Sequence, residues 1–166
     1  MHLSEGEKLI LVMISDIYQH LKLDRLDAKL IREAISTGNT WAIPWDPDAV
    51  LDEVVDILRM WEYIEHGYQR LAPADRERVA KEVDDPVKFN GLGGDDDSQH
   101  VRVASFLINH MDRYENLKGR PLANSGYPIE RHRRMLRAFD PLRIGRRPPH
   151  LTADQIITIF RVGSSI

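Results

Sequence analysis

Apolar side chains recur at the helical period along most of this chain of 166 residues. Residues 9–21, 50–64 and 101–117 carry apolar positions three and four apart, which predicts amphipathic helices. No segment sustains an alternation of apolar and polar residues, and no hairpin sequence occurs. The pattern predicts an all-α fold: an irregular bundle of about seven helices forming a single domain over residues 1–166.

The most apolar segment follows a stretch rich in glycine and aspartate. We predict a buried central helix at about residues 95–118, because apolar side chains from Val101 to Leu117 cover more than half of its circumference. Its broad apolar face, like that of the first helix, suits a subunit interface as well as a core. The preceding stretch contains Gly91, Gly93 and Gly94, followed by Asp95, Asp96 and Asp97. We expect the aspartates to cap this helix and to offset its dipole.

The same stretch is the first candidate ligand site. Its candidate residues are Gly93, Gly94, Asp95, Asp96, Asp97 and His100. Calcium loops space their acids at alternate positions, whereas consecutive aspartates point their side chains apart. A helix cap is therefore the favoured interpretation, and no metal ion is predicted. A metal-dependent hydrolase using Asp95–Asp97 and His100 is one alternative hypothesis.

Charge is unevenly distributed along the chain. Residues 45–65 have a net charge of −6, and residues 131–147 have a net charge of +6. The candidate basic patch comprises Arg131, Arg133, Arg134, Arg137 and Arg143. Guanidinium groups bind phosphates well, so a nucleic-acid-associated protein using Arg131–Arg147 is a second alternative hypothesis. The near-equal opposite charges instead favour pairing of the two segments, within one chain or between subunits.

Several classes of protein are disfavoured. The chain has no cysteine, which excludes disulfides and thiol catalysis and favours a cytoplasmic location. No apolar run approaches the roughly 18 residues that span a bilayer, so no membrane association is expected. Nucleophile elbows, phosphate-binding loops and dinucleotide fingerprints are absent, so an enzyme is not the favoured interpretation and no cofactor is predicted.

Several segments, taken together, resemble the YfbU-like family of bacterial and archaeal proteins over about residues 3–160. The segments are Leu9-Ile10-Leu11 with Tyr18, residues 52–61, Phe89 to Gly94, residues 104–108, Arg131 to Leu136, and residues 151–156. The resemblance implies a compact, mainly helical domain and supplies no catalytic residues or cofactor. The loop departs from the family pattern, because its aspartates gather after Gly94.

The leading hypothesis is a cytoplasmic helical domain that acts without catalysis. It would bind a protein partner or a small ligand, and the protein partner would be a second copy of itself or another protein. The hypothesis depends on the broad apolar helix faces, the glycine-rich loop and the missing catalytic motifs.

Overall fold

The computed structural model describes residues 3–23, 27–43, 49–93, 98–124, 126–143 and 150–164. Within these ranges the chain forms seven α-helices, which confirms the predicted all-α fold. They are α1 (Glu5–His20), α2 (Ala28–Ser36), α3 (Ala49–Arg70), α4 (Pro73–Glu82), α5 (Gln99–Asn109), α6 (Ile129–Phe139) and α7 (Ala153–Ser164). None of the helices in this part of the chain is long and apolar enough to cross a bilayer.

Helix α3 is the centre of the larger core, which it forms with α4 to α7. It packs against α5, α6 and α7. Its fully buried apolar side chains are Val54, Ile57, Leu58, Met60, Trp61 and Ile64. Trp61 meets the rings of Phe89 and Phe160 edge-on, with ring centroids 6.0 and 5.8 Å away. We call α3 to α7 with their connections the body of the protein.

Helix α5 is shorter than predicted, and its cap differs. It ends at Asn109, and the chain then takes left-handed backbone conformations at Asp112 and Tyr114. The downstream apolar residue Leu117 reaches the core from a 3₁₀ turn instead. At the other end Ser98 is the N-cap, its hydroxyl accepting from the Val101 amide at 3.3 Å. The predicted aspartate cap is therefore wrong, because α5 begins after these residues and has no acid in its first turn.

Helices α1 and α2 form an antiparallel hairpin that has its own small core. Ala34, Ile35 and Ile43 are buried there together with Phe106 of α5. Leu11 and Val12 of α1 pack against this cluster from one side. Phe106 of α5 and the partly buried Met111 thus connect the hairpin to the body. We call α1 and α2 the hairpin.

Capping boxes begin the first and last of the described helices. At α1 the Ser4 hydroxyl accepts from the Glu7 amide at 3.3 Å, while the Glu7 carboxylate accepts from the Ser4 amide at 2.8 Å. At α7 Thr152 and Gln155 exchange the same two bonds, at 3.3 and 2.9 Å. Each box satisfies amides that a helix start leaves unpaired.

Candidate functional site

The outer face of α1 carries most of the exposed large hydrophobic side chains among the described residues. The helix turns Leu11, Val12 and Ser15 towards the hairpin core and directs its other apolar side chains away from it. The outward side chains, each 45–61% exposed, are Leu9, Ile10, Met13, Ile14, Ile17 and Leu21. Among the described residues, the large hydrophobic side chains that are exposed all lie between residues 9 and 23. We call these six residues the α1 outer face.

Charged groups flank the α1 outer face at both ends. Glu5 and Glu7 lie in the first turn, and His20 lies in the last turn, followed by Lys22. Hydrogen bonds to Ser4 lower the pKa of Glu7, so this carboxylate stays charged. Lys8, also near the start, pairs with Glu5 at 2.6 Å, so the start of α1 keeps one uncompensated acid, Glu7, and Lys22 follows its end.

The acidic helix α3 and the arginine-bearing helix α6 pair within the chain. Glu53 accepts two hydrogen bonds from Arg133, at 2.5 and 3.0 Å, and a third from His100 at 2.8 Å. The bonds from Arg133 are the main cause that lowers the pKa of Glu53 to about 2. His100, a candidate ligand residue, is thus engaged in a hydrogen bond that joins α5 to α3.

Most of the candidate basic patch is occupied by acceptors of the same chain. Arg131 pairs with Asp85, and Arg134 donates two bonds to the Gly163 carbonyl at 2.8 and 3.2 Å. Arg143 pairs with Asp56 of α3 at 2.9 Å. Arg137 is exposed at the surface of α6. The predicted pairing of the two charged segments is confirmed for Arg133 and Arg143, whose partners Glu53 and Asp56 lie on α3, and nucleic-acid binding stays a prediction.

The glycine-rich loop serves a close backbone contact. A Cβ on Gly93 would lie 2.5 Å from the Ile129 amide nitrogen, so only glycine fits where the loop meets the start of α6. Leu92 exchanges backbone bonds with residues 122–124, donating to the Leu122 carbonyl at 2.7 Å. Gly93 therefore has a packing role. Gly94, Asp95, Asp96 and Asp97 lie outside the described residues.

A buried ion pair anchors the same loop. Glu65 of α3 is buried, and it accepts two bonds from Arg120 at 2.6 and 3.0 Å. The Phe89 amide donates to the same carboxylate at 2.6 Å. One carboxylate thus ties α3 to two loops of the body.

His132 is a polar core residue that the sequence analysis did not identify. Its Nδ1 accepts from the Trp61 indole at 3.2 Å, and its Nε2 lies 3.2 Å from the Gly91 carbonyl. The Nε2 atom therefore carries the proton and donates it to that carbonyl. Burial lowers the pKa of His132 to about 4, so the imidazole is neutral at pH 7. The sequence indicates this burial only through the position of His132 on α6, one helical turn from other residues that point into the core.

An open cleft of about 640 Å³ lies between α3 and the turn at residues 115–117. Its lining includes Glu62, Glu65, His66, Glu115 and Arg120. Burial raises the pKa of Glu62. Arg120, the cation in this lining, is already paired with Glu65. Within the described residues, no group of three or more histidine, aspartate or glutamate side chains is arranged to hold a metal ion.

The sequence profile of the YfbU domain matches residues 1–161 of the chain. Comparison with curated proteins gives no match, and comparison with solved structures gives none either. The match covers the hairpin and the body alike, so both regions belong to one family domain.

Proposed function

We propose that this chain, which belongs to the YfbU domain family, is a non-catalytic protein-interaction module. Its α1 outer face would bind another protein chain. The observation that carries the proposal is the exposure of six aliphatic side chains on one helix face, each 45–61% exposed. Soluble proteins seldom leave a contiguous apolar surface of this kind uncovered unless it meets a partner.

The energy available from this face suits a reversible complex. Burying a whole aliphatic side chain contributes about 1.5–3 kcal/mol, so six half-exposed ones contribute on the order of 5–10 kcal/mol. Association costs several kcal/mol in lost translational and rotational freedom. The six side chains alone therefore support a weak, reversible contact, and micromolar affinity requires the partner to bury a similar apolar surface.

The contacts within the body support a structural role, rather than a catalytic one, for its histidines and arginines. His100 and Arg133 share the carboxylate of Glu53, and His132 is hydrogen-bonded on both ring nitrogens. Arg120 is held by Glu65. Each of these groups joins two segments of the body. The cysteine-free composition suits action in the reducing cytoplasm.

Site-specific photocrosslinking in cells tests the proposal. A photoreactive amino acid replaces Met13 on the α1 outer face, and the matched control places it at Glu77, an exposed position on α4. We expect covalent products of higher mass from position 13 and few from position 77. Equal, low yields at both positions would contradict an interaction through α1.

A further inference from the structure

The α1 outer face has the spacing of a helix-pairing seam. Ile10, Ile14, Ile17 and Leu21 follow one another at intervals of four, three and four residues. This is the heptad spacing at which one helix packs its apolar side chains into those of another. All four side chains are exposed, although the heptad pattern would bury them in a helix pair. The surface that fits this face is therefore another apolar helix.

The charges on α1 disfavour a membrane as the occupant. Within α1 three acids, Glu5, Glu7 and Asp16, outnumber one lysine, Lys8. Glu5 pairs with Lys8 and Asp16 pairs with Arg32, which leaves Glu7 uncompensated. Helices that lie on membranes carry lysine and arginine beside their apolar face, since bilayer surfaces are anionic. An acidic helix is repelled by such a surface.

We propose that the occupant of the α1 outer face is a second copy of this chain, with the two α1 helices antiparallel. The inference rests on the proposed function and adds the identity of the partner. A two-fold contact places the same patch of each copy against the other, so one helix supplies both halves of the seam. The two-fold axis passes between Met13 and Ile14.

The antiparallel register places a small residue opposite a large one and an acidic helix end beside a lysine. It places Ile10 against Ile17 of the second copy, and Gly6 against Leu21 of the second copy. Gly6 has no neighbouring atom within 4 Å of the position a Cβ would take, which leaves room for a large side chain. The register also brings the acidic first turn of each helix beside the end that carries His20 and Lys22.

The parallel arrangement lacks this complementarity. It would place Glu5 and Glu7 of both copies together at one end of the pair, where like charges repel. It would also align the two helix dipoles, which favours separation. Charge therefore selects the antiparallel pair.

Disulfide trapping tests the register, because the natural chain contains no cysteine. Disulfides need Cα atoms within about 7 Å. Ile14→Cys lies beside the axis, so we expect a covalent dimer under mild oxidation. Leu21→Cys alone should give none, since two such residues lie about 22 Å apart along an antiparallel pair. Gly6→Cys combined with Leu21→Cys should restore the dimer, and Glu77→Cys measures random collision.

Each result of the trapping experiment decides the proposal. A covalent dimer from Leu21→Cys alone would establish a parallel pair and overturn the register. Yields from Ile14→Cys no higher than those from Glu77→Cys would overturn the second copy as the occupant.

Light scattering on the complete chain tests self-association without crosslinks. We expect twice the monomer mass at high concentration and a fall towards the monomer on dilution. Ile17→Glu should raise the dimer Kd at least about tenfold, because it puts a charge inside the seam. Gln19→Glu, an exposed position off the face, should leave the Kd unchanged. Equal effects of the two substitutions would overturn the proposal.

Failure of this inference and failure of the proposed function give different results. A monomer at every concentration, together with a photocrosslinked product from position 13 that contains another protein, overturns the second copy and retains the interaction face. A monomer without photocrosslinked products overturns both. A monomer that sediments with vesicles of phosphatidylcholine and phosphatidylglycerol identifies a membrane as the occupant and also overturns both.

Discussion

The body and the hairpin bury their apolar residues to very different extents. In the body, Trp61 and its neighbours on α3 are fully buried, and ion pairs such as Glu65–Arg120 join its segments. In the hairpin, α1 packs through Leu11 and Val12 while the six apolar residues of the α1 outer face stay exposed. The body buries its large apolar side chains in one core. The hairpin has a second apolar face on which no described residue packs.

The comparison separates two uses of an amphipathic helix. A helix that packs on several sides, like α3, contributes to the stability of its own chain. Helix α1 needs only one side to hold the hairpin together, so its other side is available for intermolecular contact. Substitutions should accordingly affect folding in the body and association in the hairpin.

The largest expected effect is in the core of the body. Trp61→Ala removes a side chain that packs against Phe89, Phe160 and His132. We expect the free energy of unfolding to fall by about 3–5 kcal/mol, because a large cavity replaces the indole. Urea denaturation measures the change. A loss below about 1 kcal/mol would contradict the central place of Trp61 in the core.

Acid should weaken the body through His132. The folded pKa is about 4, below the ordinary value of 6.5. As pH falls from 6.5 to 4, the unfolded chain takes up a proton that the folded chain excludes, so stability falls by up to about 3 kcal/mol. Above pH 6.5 both states are neutral and the contribution is constant.

A matched variant isolates this effect. His132→Asn can still accept from Trp61 but cannot titrate, so its stability should change less between pH 6.5 and 4. An unchanged slope in denaturation curves would assign the acid sensitivity to other groups. Glu53, with a pKa lowered to about 2, contributes stability that is lost in a separate range, between pH 4.5 and 2.

A smaller loss is expected at the anchor of the glycine-rich loop. Glu65→Gln weakens the bonds to Arg120 and to the Phe89 amide. We expect a loss of about 1–3 kcal/mol in unfolding free energy, the usual cost when a buried polar partner is left unsatisfied. Glu115→Gln, on the exposed side of the same cleft, is the control. Equal stability of the two variants would show that the buried pair does not hold the loop.

The smallest effect on folding is expected on the α1 outer face. Ile17→Ala removes a side chain that is 56% exposed. Measured at a concentration low enough to keep the chain monomeric, its unfolding free energy should change by less than about 0.5 kcal/mol. A larger loss there would mean that the hairpin uses this side chain for its own packing.

Helix positions were largely predictable because apolar periodicity and capping are local. The Ser4–Glu7 and Thr152–Gln155 capping boxes each join residues only three positions apart. The end of α5 was not predictable in this way, since apolar residues continue at helical spacing beyond Asn109. The left-handed conformations at Asp112 and Tyr114 break the helix while Leu117 still reaches the core.

The candidate site was harder to predict because burial depends on contacts between distant segments. Periodicity identified the apolar face of α1 but could not show which part of it the hairpin covers. His132 lies among arginines in the sequence, and its buried role depends on Trp61, 71 positions away. The glycines of the loop indicated a shaped backbone, yet only the start of α6 explains Gly93.

Hydrogen exchange measured across protein concentration tests the central claim most directly. If two copies pair through α1, the amides of α1 should exchange more slowly as concentration rises, while those of α3 stay unchanged. Ile17→Glu should abolish the concentration dependence and leave α3 protected. Exchange of α1 amides that is independent of concentration in the unsubstituted protein would contradict the pairing of two copies through this face.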